Sequence, residues 1–290
     1  MMITSVTVTP NSDWSKIITD YESVNNSLKV IGEAMFTIED ADQYLADIND
    51  HVKATYAEAI LNKYEIETYI SAGLFGSILF ATIFKAREKC SGENFAFSLI
   101  MTSGSDEEIH KQRSGIAQEK SYSKLLGHQL AVQTHQHIRM EELYTDILIQ
   151  ELAAHAFTRD KVQFDEESLK STIYQISEIL MQMDELGIKN GGNATDLLYF
   201  PKQGRIKISA LEKVTRLIPG EKNNLSVLRK LLQYDLEIDQ LDSFQKPDWM
   251  SEELFELVKS ILSDEQLSAE SIKHHPQLSG LHGIGVQLLI

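Results

Sequence analysis

"THQHIRMEELYTDILIQELAAH", residues 134–155, decides how the middle of this chain is read. It carries three histidines and four carboxylates in a run that suits a helix. On a helical wheel of about 100° per residue, His135, Arg139, Glu142, Asp146 and Gln150 form an ordinary solvated face. Ile138, Leu143, Ile147, Leu148 and Leu152 cover most of the remainder. His137, Glu141, Glu151 and His155 then point into the apolar arc. A carboxylate placed there must be paired, hydrogen-bonded, protonated or metal-bound.

The spacing limits the metal reading. His137 and Glu141 are four apart, as are Glu151 and His155, so each pair can share a cation. Glu141 and Glu151 are separated by roughly 15 Å along a helix axis, so the two pairs cannot hold one metal together. The reading adopted is paired side chains in a core or subunit interface. A metal-dependent helical enzyme built on His137, Glu141, Glu151 and His155 is an alternative. Di-iron bundles use Glu-x-x-His on two helices, and only Glu107-Glu108-Ile109-His110 has that spacing.

Outward from this stretch, helical periodicity continues. Leu169, Ile173, Ile176, Leu180, Met183 and Leu186 recur at three and four and predict a helix over 165–186, ended by Gly187. "ISAGLFGSILFATIF" (70–84) is the most apolar window and reads as a helix buried on all sides. It is shorter than the roughly 20 residues a bilayer span requires. Insertion into a membrane is a further alternative, but membrane association is not expected. "NFAFSLIMTSG" (94–104) suits a buried strand or a core helix, and "ITSVTVT" (3–9) a short strand.

The polar, glycine-containing stretch 188–196 marks a boundary. Beyond it, "LLYFPKQGRIKIS" predicts a β-hairpin around Pro201-Lys202-Gln203-Gly204. Ser209 and Glu212 suggest a capping box for a short helix. Further helices are expected at 225–236 and 251–262. The expected fold is therefore mainly α: a helical bundle-like N-terminal domain (1–190) with a short strand, and a smaller α+β part (193–290) containing the hairpin.

Composition narrows function. The formal charge is -16 over 290 residues, which argues against generic binding to nucleic acid or anionic membrane. One cysteine, Cys90, rules out an intramolecular disulfide and a Cys-rich zinc site. The N-terminus lacks the basic and apolar regions of a signal peptide, so a soluble, cytoplasmic protein is expected. No P-loop, dinucleotide glycine loop, G-x-S-x-G, H-E-x-x-H or EF-hand occurs. His274-His275-Pro276 reads as a surface turn.

Charge is unevenly placed. Residues 202–230 hold Lys202, Arg205, Lys207, Lys213, Arg216, Lys222, Arg229 and Lys230 against Glu212 and Glu221, a net +6. Residues 235–256 hold eight acidic residues against Lys246, a net -7. Such blocks can pair within the fold or between copies. Near the C-terminus, Gly283-Ile284-Gly285 resembles the hairpin of helix-hairpin-helix DNA-binding motifs, whose turn amides meet a phosphate. The resemblance covers about a dozen residues, and the second helix and its basic residues are missing. "IETYISAGL" (66–74) resembles a short piece of paramyxovirus nucleoproteins, and nothing is carried over from so short a match.

The leading expectation is an interaction or assembly protein without enzymatic activity or cofactor. It would bind a protein partner or itself through the 202–230 surface. Nucleic-acid binding by the same segment is the alternative.

Overall fold

The computed structural model describes residues 63–75, 79–102, 105–140, 145–156, 163–189, 196–211, 214–218, 225–238 and 240–281. The expected strand at 3–9 lies outside them, as does the Gly283-Ile284-Gly285 turn. Contacts divide the chain into two units. Of the described residues, the first takes in those up to Ser114 and within Thr134–Leu152; the second has Gly115–Gln133 and those from Ala153 onward. Residues 153–189, expected with the N-terminal part, belong to the second unit.

The first unit overturns the expected helical bundle. Its described residues form a five-stranded antiparallel sheet with the order β1-β2-β3-β5-β4. The strands are β1 (Tyr64–Phe75), β2 (Leu79–Glu88), β3 (Asn94–Met101), β4 (Thr134–Met140) and β5 (Thr145–Glu151). Helix α1 (Asp106–Leu126) joins β3 to β4, with Asp106–Ser114 in this unit.

The apolar window 70–84 is thus no helix. It holds the end of β1 and the start of β2. The 134–155 stretch is not a helix either; it supplies β4 and β5, paired antiparallel. Residues 146–150 of β5 are all buried. A strand buried on both faces loses its two-residue alternation and reads as an unbroken apolar run. On a wheel, Ile147, Leu148 and Ile149 therefore imitate a broad apolar arc.

Register explains the sheet's two faces. One cross-strand row runs Thr82, Leu99, Ile147, Ile138, and the next on that face contains Phe84, Phe97 and Ile149. All seven side chains are buried. Fully burying a residue of this size contributes about 1.5–3 kcal/mol. On the opposite face lie the rows Ala81, Ile100, Asp146, Arg139 and Ile83, Ser98, Leu148, His137.

Both edges of the sheet are irregular. β1 shifts register between Ile66 and Thr68 and between Tyr69 and Ser71, and β4 between Thr134 and Gln136. Glu65 and Glu67 on β1 form ion pairs with Arg87 and Lys85 on β2. Bulges and charges of this kind discourage edge-to-edge pairing with another sheet.

The second unit is α+β. Helix α2 (Glu166–Glu185) is the predicted one, capped by Asp165 and Ser168 in a reciprocal box and ended at Gly187, whose φ is +65°. β7 (Ile188–Lys189) pairs with β10 (Thr215–Arg216). The predicted hairpin forms from β8 (Leu197–Phe200) and β9 (Arg205–Ile208), with β6 (His155–Ala156) beside β8.

Helices α3 (Ser226–Asp235), α4 (Glu252–Ser263) and α5 (Ala269–Lys273) follow. Of the capping box expected at Ser209 and Glu212, only the serine is among the described residues. Its amide and hydroxyl both donate to the Asp196 carbonyl, and Ala210 turns to a φ of +57°. The apolar side of α2 shares one core with Leu126, Ala131, β8, β9, α3, α4 and α5. Among the described residues, no helix is long and apolar enough to cross a membrane.

Candidate functional site

The most concentrated chemistry among the described residues surrounds Asp146. Alternation along β5 places its carboxylate on the sheet face opposite the large apolar rows, where it is 0% exposed. Neighbouring strands and α1 bring a histidine and two arginines to it. His137 Nε2 lies 2.6 Å from Asp146 Oδ1. Arg113, on α1, brings its Nε to 3.2 Å from Oδ2, and Arg139 Nε is 3.4 Å from Oδ1. The His137 and Arg113 side chains are 12% and 14% exposed, while that of Arg139 is 43% exposed.

Two opposing effects act on Asp146. Burial by itself pushes the carboxyl up. The His137 hydrogen bond, with the charges of His137, Arg113 and Arg139, outweighs it and holds the group below its ordinary value of 3.8. Asp146 is therefore ionised at neutral pH.

Further polar links cross the same face diagonally, between Ser98 in the His137 row and Gln150 in the next. Ser98 Oγ donates to Gln150 Oε1 at 3.4 Å, and Gln150 Nε2 donates to Thr134 Oγ1 at 3.2 Å. Together these links run from β3 through β5 to the edge strand β4, and Arg113 adds α1. Charged and polar groups on this face thus fix the helix and the edge strand to the sheet. A buried ion pair is costly to break but weak evidence for net stability.

Where they are described, the residues of the helical reading fall on different strands. His137 turns to Asp146. Glu151 ends β5 opposite Phe95. His155 lies in β6, in the second unit, and Glu141 is outside the described residues. No group of three or more His, Cys, Asp or Glu able to hold a metal occurs among the described residues.

Sequence reasoning missed Asp146, which it placed in solvent, and left Arg113 unremarked. The available signal was alternation in "THQHIRM", which puts His137 and Arg139 on one side of a strand and Ile138 on the other.

The basic segment is dispersed. Lys202 is exposed in the hairpin turn, Arg216 on β10 and Lys230 on α3. Arg205 Nη1 lies 3.5 Å from Glu178, which Lys273 also meets at 3.1 Å. Lys207 is 0% exposed, its Nζ 4.7 Å from the Phe200 ring centroid, so it belongs to no surface. Arg229 donates from Nε to the Ile261 carbonyl and from Nη2 to that of Asp264, each at 2.7 Å, and so closes the C-terminal end of α4. Lys213 and Lys222 lie outside the described residues.

On the acidic side, Asp248, Glu252, Glu253 and Glu256 are exposed. Cys90 is exposed at the β2–β3 turn. His275 Nδ1 accepts from the Gln277 amide at the start of a short 3-10 turn, Pro276–Leu278.

No family model matches this chain, and no curated protein matches it.

Proposed function

We propose that the chain is an interaction or assembly protein whose second unit meets a protein partner, or a second copy, through opposed charges. One observation carries the reading. Arg205 pairs with Glu178, Lys207 is buried and Arg229 meets the end of α4, while Lys202, Arg216 and Lys230 are exposed. Asp248, Glu252, Glu253 and Glu256 face solvent in the same unit. Charges so placed steer association and set its partner more than they add affinity. Exposed pairs act over about 10 Å at 0.1 M salt and are screened beyond it.

Light scattering coupled to size exclusion at low and high salt tests the reading. The expected result is a larger species at low salt that dissociates as salt rises, and that Lys202→Glu, Arg216→Glu and Lys230→Glu together abolish. A monomer unaffected by salt, with the triple variant indistinguishable from it, overturns self-association. If oligonucleotides bind with a steep salt dependence that the same variant removes, the partner is nucleic acid instead.

A further inference from the structure

We draw no further inference here: the strongest candidate, the buried side-chain cluster of Asp146, His137, Arg113 and Arg139 on one face of the five-stranded sheet, belongs to the site already described, and its carboxylate is satisfied by the protein's own cations, so that nothing about it calls for a ligand.

Discussion

Asp146 is a carboxylate in a position where a carboxylate persists only with counter-charges around it. Substituting Asp146→Asn keeps the shape and removes the charge, leaving His137, Arg113 and Arg139 converging on a neutral amide. Removing one partner of a buried ion pair costs about 3–5 kcal/mol, and the exposure of Arg139 places this case at the low end. Urea denaturation at neutral pH should show a loss of about 3 kcal/mol. Adding Arg113→Met should restore part of it, because the second change removes one of the stranded charges.

The pH dependence follows from the direction of the shift. The folded carboxyl titrates below the ordinary 3.8. Its contribution is therefore complete above that value and is lost as pH falls through the lower, folded one. The wild-type protein should lose stability more steeply than Asp146→Asn in that acid window; parallel curves would show that the cluster contributes nothing.

Ala210 offers a second residue-scale test. Its φ of +57° is a left-handed conformation that costs an L-residue about 1–2 kcal/mol. Ala210→Gly relieves this at some entropic cost in the unfolded chain. Thermal unfolding should find the glycine variant within about 1 kcal/mol of wild type and Ala210→Val clearly less stable.

At the scale of elements, side chains that serve backbone groups decide how pieces join. Gln175 on α2 accepts from the Ile206 amide at 2.8 Å and donates to the Gly204 carbonyl at 3.0 Å, tying the helix to the hairpin turn. Gln175→Leu should cost about 2 kcal/mol, since an amide and a carbonyl lose their partner together. A cost under about 0.5 kcal/mol in chemical denaturation would mean that water or a shifted backbone replaces it.

Elements governed by local signals were readable in advance. The stripe from Leu169 to Met183 is a helix stripe because those residues do face one core. The hairpin from Leu197 to Ile208 is specified by its turn, where Gly204 adopts a φ of +58°. β2 and β5 were not readable in this way, and the sequence of β3 leaves strand and helix both open. On the side away from β2, the neighbour of β3 is β5, which lies beyond α1 in the chain, as with Ile147 beside Leu99.

At the scale of the whole molecule, the second unit is discontinuous in sequence. Ala131 bridges Ile208, and the Val132 amide donates to the Ile208 carbonyl at 3.0 Å. Gln118 donates to the carbonyls of Leu211 and Val214. The boundary suggested by composition, near residue 190, also separates α2 from the core it shares with α3 and α4. A fragment of residues 193–290 should therefore show no cooperative thermal transition and poorly dispersed amide signals. A sharp transition with native dispersion would show that the C-terminal part folds without α2 and residues 115–133.

What this sequence determined by itself was local. Capping residues at Asp165 and Ser168, a helix-ending glycine at 187 and the turn at 201–204 act within a few residues, and their physics is complete in the chain segment that carries them. Only the tertiary structure decided that 134–140 and 145–151 are strands, that Asp146 and Lys207 are buried rather than solvated, and that Arg229 serves the end of α4. Pairing between distant strands supplies the hydrogen bonds of β5 and buries both its faces at once. That double burial erases the alternation by which a strand is recognised in a sequence.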